Sequence, residues 1–240
     1  MLEGFIQGFV LLLAYFLVAG VPALLLKSFT PMPRELMRKI YHLLFVFSIV
    51  PMLLVFSTWY EAVLAALLFA LLLYVALALV EHTAFFRRVA IERDPGEFKR
   101  SLVLAELSIA LLIFLFWGLL GADAKFIVLV AVMGWGFGDA AAALVGKAIG
   151  RKRITHPKIE GAKTVEGTLA MLVVAGIAMF LTLLLVGQPV LVSLAVALIA
   201  APVSALVELF SRRGFDTLTV PLSVAFSVLV LMSAFSLMGL

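Results

Sequence analysis

Cysteine is absent from all 240 residues, which excludes a disulfide framework and any thiolate metal site. Charge is scarce as well. Only 13% of the residues are Asp, Glu, Lys or Arg, about half the ~25% of an average soluble domain. No repeat of fixed period and no low-complexity linker interrupts the chain, so residues 1–240 read as a single domain. A cleaved leader is not expected either. The first apolar run, residues 4–26, is longer than the apolar core of a signal peptide, and the only charged side chain before it is Glu3. What is abundant is apolar surface: 65% of the residues are hydrophobic and the mean hydropathy is +1.24. One soluble core of this size cannot hide that much, so the bilayer must solvate most of it.

A membrane-crossing helix takes about 20 mostly apolar residues. Eight runs qualify, near 4–26, 41–57, 61–80, 102–121, 125–147, 166–187, 189–209 and 217–239. The expected fold is therefore an all-α integral membrane protein, a bundle of about eight transmembrane helices. Helices are the default because every backbone amide in hydrocarbon must be paired within its own segment. The second run is short and carries Pro51, which predicts a tilted, broken or partly re-entrant span. Trp59-Tyr60 suits an interfacial turn, and Gln188-Pro189 a tight one. Basic residues orient the bundle. Every one of the 18 except Lys125 falls in the connections after the first, third, fifth and seventh spans. The positive-inside rule then puts both termini outside and the long loops in the cytoplasm. Of the acids, Glu3, Glu61 and Asp123 fall outside, and the rest lie in cytoplasmic loops or the inner parts of spans. Attraction to anionic membrane lipids, about 1 kcal/mol per basic residue near the surface, accounts for most of the loop charge. No nucleic-acid partner is expected.

Acids inside spans need another account. In GWGFGDAAAALVGKAIGRKR, residues 134–153, Asp139 lies about 14 residues into the fifth span, roughly 20 Å into a ~30 Å core. A carboxylate there costs at least ~2.5–3.5 kcal/mol without a partner or water. Asp139, Ala143, Gly146 and Gly150 share one helix face, which carries a carboxylate and no bulk, so something must fill the space beside it. Close helix packing is one answer, because Gly138, Ala142 and Gly146 form a small-xxx-small ridge. It leaves the aspartate without a purpose. The next loop is basic and ends in EGAKTVEG, residues 160–167. Lys163-Thr164 invites comparison with a Walker A loop, but Pro157 and Ala162 stand where that motif has glycine, and no strand precedes. Thr164 can still cap the sixth span, whose free amides and positive dipole end would hold a phosphate beside Lys163. Glu166 suits the first turn of that helix by complementing its dipole. Glu208 closes the seventh span, where an i,i+4 pair with Arg212 is available, and Asp216 opens the eighth. Glu81, His82 and Glu106 lie at the same expected depth. Asp139, Lys163, Thr164, Glu166, Glu208 and Asp216 together offer carboxylates, a lysine and a helix N-terminus on one membrane face, which is what a Mg-nucleotide site requires.

Three segments resemble the polyprenol kinase family, which includes dolichol kinase, phytol kinase and the CTP-dependent diacylglycerol kinase. RELMRKIYH, residues 34–42, is similar to the family's E-x-x-R-K-x-x-H. GDAAAALVGKAIGRKR and KTVEGTLA, residues 138–153 and 163–170, are similar to its G-D-x-x-A-x-x-x-G-x-x-x-G and K-[ST]-x-E-G-[ST]-x-A pair. ELFSRRGFDTLTVPL, residues 208–222, is similar to an E…D-N-x-x-x-P-L ending, with Thr217 where the family usually has Asn. The resemblance implies a multi-pass membrane enzyme that uses CTP and a divalent metal, Mg²⁺, to phosphorylate an isoprenoid alcohol at the cytoplasmic leaflet. It implies a catalytic set of Asp139, Lys163, Glu166, Glu208 and Asp216, with the metal on Asp139, Glu208 and Asp216. Lys163, Thr164 and Gly167 would hold the triphosphate, with Gly138, Gly146, Lys147, Gly150 and Arg151 around the nucleotide. Arg38, Lys39 and His42 would line the approach. The lipid hydroxyl is expected to arrive between spans lined by Gly146 and Gly150. Phosphatidate cytidylyltransferases share a similar core and also end in K-D, G-H-G-G and D-R-x-D motifs; this chain closes with FDTLTVPL and an apolar span, which favours a kinase. Cytidylyl transfer to a lipid phosphate stays open as an alternative. So does a transporter, against which the clustering of acids at one membrane face argues.

Overall fold

The computed structural model of the chain describes residues 2–84, 86, 90–92, 96–161, 163–212 and 214–239. Among the described residues regular structure is helical, apart from one isolated antiparallel bridge between Arg153 and Thr164. In chain order the helices are α1 (Leu2–Phe29), α2 (Arg34–Phe47), α3 (Ile49–Val55), α4 (Trp59–Val80) and α5 (Glu97–Leu112), which continues as a π-helical turn, Ile113–Gly118. A short 3₁₀ turn, Ala122–Ala124, leads into α6 (Lys125–Ile149), followed by α7 (Val165–Leu185), α8 (Val190–Phe210) and α9 (Asp216–Leu237). With α2 and α3 taken together, eight segments are long and apolar enough to cross a membrane, as a multi-pass membrane protein requires.

The second span starts at Arg34 rather than near residue 41, so RELMRKIYH is helical and Arg38, Lys39 and His42 stand on its first turns. The expected break is present. Pro51 has no N–H to offer one turn back, and the helix is interrupted at Ser48, whose N–H and hydroxyl both turn to the Phe45 carbonyl at 3.2 and 2.7 Å. The tight turn expected at Gln188-Pro189 is also seen, with Gly187 at φ 84° taking the left-handed conformation that glycine tolerates.

The spans group into two compact units, Met1–Leu119 and Leu120–Leu240. Composition does not mark this division, since both sides of it are strongly apolar. In the first unit, Phe16 stacks on Phe69 with ring centroids 4.2 Å apart. Tyr41 and Met37 of α2 pack with Ala23, Ile91 and Phe98. Lys99 at the start of α5 pairs with Glu81 at the end of α4 (2.6 Å). Arg38 pairs with Glu35, and Lys39 is buried. Glu106 of α5 is buried too, and neither of its carboxyl oxygens has a hydrogen-bond partner among the described residues.

The second unit is organised around α6, whose small residues let α7 approach closely. A Cβ at Gly138 would meet Met171 Sδ at 2.6 Å and Ala175 Cβ at 2.9 Å, and one at Gly134 would meet Met179 Cγ at 2.7 Å. From the other side, a Cβ at Gly167 of α7 would meet the Ala142 carbonyl at 2.9 Å and Gly146 Cα at 3.3 Å. The Gly138, Ala142, Gly146 ridge is thus a helix seam, driven by dispersion contacts that only close backbone approach permits. Alternating helix directions then bring the end of α6, the start of α7 and the end of α8 to one end of the unit, where α9 also begins.

The seam makes a prediction. Gly167→Ala places a methyl against backbone that cannot step aside, so it lowers stability by about 1–3 kcal/mol. Gly20→Ala, which has no atom within 4 Å of the added Cβ, leaves stability unchanged or slightly raised. Reversible unfolding in mixed micelles reads both. Equal stability of Gly167→Ala and wild type would mean that the seam is loose.

Candidate functional site

The site sits at the polar end of the second unit. Its first element is Thr164, which ends the loop after α6 and caps α7. Its extended backbone turns the hydroxyl back onto the helix, where Oγ1 accepts from the Gly167 N–H at 3.1 Å. The cap expected from the sequence is therefore present, and three glycines make room for it. A Cβ at Gly146 or Gly167 would come within 3.2 Å of Thr164 Oγ1, and one at Gly150 within 2.7 Å. The empty face of Gly146 and Gly150 is thus filled by Thr164 and the start of α7. This corrects the expectation that a lipid hydroxyl arrives between Gly146 and Gly150.

A second correction concerns the free amides of α7. Val165 N–H donates to the Lys152 carbonyl at 2.9 Å. Glu166 accepts from the Lys152 N–H with both carboxylate oxygens, each at 3.3 Å. Gly167 N–H is taken by Thr164. The Val165 and Gly167 donors of the first turn are thus engaged within the chain, and Glu166 fastens the loop to the helix.

Lys163, next to the cap, is the cation that faces the acids. Its ammonium donates to Glu208 Oε1 at 2.7 Å and also to the Glu208 backbone carbonyl. Two charge-assisted bonds to one residue, 45 positions away in the chain, fix the loop to the end of α8. Glu208 is only 7% exposed, so the pair lies in a setting where Coulomb attraction is strong and an unmatched charge is costly. Asp139 of α6 and Asp216 of α9 act on the same carboxylate electrostatically. Both are half-buried, and Asp216 Oδ1 also accepts from the Thr217 N–H at 3.0 Å. Glu208 therefore stands between one opposite charge, Lys163, and two like charges.

The structure thus brings together Asp139, Lys163, Glu208 and Asp216, with Thr164, Gly146, Gly150 and Gly167 forming the capped corner beside them. Glu166 belongs to the loop fastening, Gly138 to the helix seam, and Lys147 and Arg151 are exposed at the same end. Arg38, Lys39 and His42 belong to the first unit. Among the described residues no group of three or more His, Cys, Asp or Glu side chains is gathered closely enough to hold a metal ion, so Asp139, Glu208 and Asp216 are not assembled as a three-carboxylate ligand set. The donor chemistry still suits Mg²⁺, which takes one or two carboxylates and completes its shell with phosphate oxygens and water.

One residue that sequence reasoning assigned differently is Arg212. Instead of pairing with Glu208 it reaches the loop, donating from Nε to the Lys158 carbonyl at 2.9 Å and from Nη2 to the Pro157 carbonyl at 2.6 Å. Beside it a recess of about 410 Å³ is lined by Val207, Phe210, Ser211, Arg212, Phe215 and Thr219. The signal missed was the loop's own need: Pro157 and Lys158 form a turn whose carbonyls face outward and call for a donor.

No protein-family model, no curated protein and no solved structure matches the chain.

The Lys163–Glu208 pair gives a measurable coupling. Removing one partner of a buried pair costs about 3–5 kcal/mol. Lys163→Met and Glu208→Gln should each fall near the lower end, since their side chains are 19% and 10% exposed. A double-mutant cycle on unfolding free energies should give a coupling of ~0.5–3 kcal/mol; strictly additive losses would show that the two groups do not support each other in solution.

Proposed function

We propose that the chain is a CTP-dependent kinase that transfers the γ-phosphoryl group to an isoprenoid alcohol, a dolichol or polyprenol, phytol or geranylgeraniol, at the cytoplasmic leaflet. The observation that carries this reading is Lys163 held on a capped helix start against Glu208, with Asp139 and Asp216 acting on the same carboxylate. The sequence resemblance to polyprenol kinases supports it, and the segregation of basic residues supports an orientation with both termini outside and the site facing the cytoplasm.

On this reading the triphosphate is met by Lys163, with the exposed Lys147 and Arg151 adding positive charge at the same end. Asp139 and Asp216, with Glu208 beside them, are the residues that would hold Mg²⁺. Bound Mg²⁺ supplies neutralisation of the charge that builds on the transferring phosphoryl group. The lipid's apolar chain lies in the recess lined by Val207, Phe210 and Phe215. Its hydroxyl oxygen attacks the γ-phosphorus, the bond from that phosphorus to the β-bridging oxygen breaks, CDP leaves, and the hydroxyl proton passes to water. Loose phosphoryl-transfer transition states ask chiefly for positioning and charge neutralisation, to which the Lys163 ammonium would contribute directly and the carboxylates would contribute by holding the metal. Cytidylyl transfer would use the same groups but release pyrophosphate.

The test is turnover by the full chain in lipid nanodiscs, with Mg²⁺, CTP and geranylgeraniol, phytol or a polyprenol, followed by phosphorus NMR. CDP and a lipid monophosphate should appear in equal amounts. Asp139→Asn should lower kcat by about 10²–10³-fold. In sealed vesicles, CTP should be consumed only when supplied to the cytoplasmic face. Pyrophosphate as the product would transfer the assignment to cytidylyltransferase, and no CTP consumption with any of the lipids would overturn it.

A further inference from the structure

The loop between α6 and α7 is closed at two places. At its root, the Arg153–Thr164 bridge is made by Ile154 N–H to the Lys163 carbonyl and Val165 N–H to the Lys152 carbonyl, both 2.9 Å. At its tip, the chain folds back through Ile159 N–H to the His156 carbonyl (2.9 Å) and Lys158 N–H to His156 Nδ1 (3.1 Å). A link from the tip to the helices comes from just beyond the end of α8. The Arg212 guanidinium forks across the adjacent carbonyls of Pro157 and Lys158, and the His156 ring meets the Phe210 ring edge-on at 6.2 Å.

These contacts have a common origin. Glu208 and Phe210 leave the final turn of α8 and Arg212 follows two residues after its end, and they hold Lys163, His156 and the 157–158 carbonyls in turn. Lys163 therefore sits on a strap fastened on both sides of it, at the root by backbone pairing and at the tip by Arg212. An ammonium on a four-carbon stem wanders unless its backbone is fixed. We propose that Arg212 is a positioning residue: by clamping the loop tip to α8 it sets where Lys163 stands, so that an incoming polyphosphate meets a cation already in place. This deepens the kinase reading and rests on it for the identity of the ligand. The clamp itself rests on geometry alone. It also states what Arg212 does chemically. It acts as a two-pronged donor to neutral carbonyls, a role that lysine, a single point charge, cannot reproduce.

Two readouts on the full chain separate the clamp from the chemistry. The first is amide hydrogen exchange in Arg212→Gln and Arg212→Lys. The Lys158 and Ile159 amides should exchange about tenfold faster in both variants, as expected when hydrogen bonds from a charged donor are lost, while the α6 and α7 seam amides keep wild-type rates. Unchanged exchange at the tip overturns the clamp. The second is CTP turnover. Both variants should raise KM for CTP about tenfold with a smaller change in kcat. Rescue by Arg212→Lys, or a KM equal to wild type, overturns the positioning role. Wild-type protein that neither binds nor consumes CTP overturns the kinase reading instead, and the exchange data then still decide whether Arg212 holds the loop.

Discussion

The second half of this protein is held in register by one ion pair. Lys163 comes from the loop that starts α7, and Glu208 from the last turn of α8. Their contact at 2.7 Å joins two parts of the chain that are 45 positions apart. Apolar packing between helices is permissive, because hydrocarbon outside the bundle is as good a solvent as the neighbouring helix. A charge pair has no such alternative: separated at this depth, each partner would stand uncompensated. The pair fixes how far the loop reaches across the helix ends, and the Thr164 cap, the Glu166 fastening and the Arg212 fork all hold the loop to the same place.

The apolar frame was legible from sequence because hydrocarbon leaves the chain few choices. Runs of about 20 apolar residues must be helices, and the eight spans appear with ends shifted by up to seven residues, the largest shift at the start of the second. Local chemistry was legible too. Thr164 reads as a cap because its hydroxyl reaches an amide three residues on, and Pro51 reads as a break because it has no N–H. What could not be read were partners distant in the chain. Glu208 had Arg212 four residues away and took Lys163 instead, and Arg212 turned to two carbonyls of the loop. Sequence spacing ranks near partners, whereas tertiary geometry decides among all of them. The empty face beside Asp139 is a similar case. Its glycines pointed to something close by, and the chain's own Thr164 fills that space.

This changes what the proposed kinase site consists of. A phosphate on free helix amides gives way to a phosphate on side chains, since the Val165 and Gly167 amides at the start of α7 already bond to their own loop. The carboxylates are drawn into one field without forming a closed ligand set, and the one nearest the lysine is neutralised by it. On the proposed reading that pairing stores the two groups for later use. Nucleotide phosphates offer Lys163 a richer partner than Glu208, and the cation they bring offers Glu208 a richer partner than Lys163. Metal and nucleotide would then bind together much more strongly than either alone, a coupling between ligands of the kind that reciprocal linkage requires.

That coupling is the central claim, and electron paramagnetic resonance of Mn²⁺ in place of Mg²⁺ tests it most directly. The full chain in nanodiscs should take up Mn²⁺ tightly only when CTP is present, and Asp139→Asn should abolish the uptake. Equal Mn²⁺ binding with and without CTP, or binding indifferent to Asp139, would contradict the account.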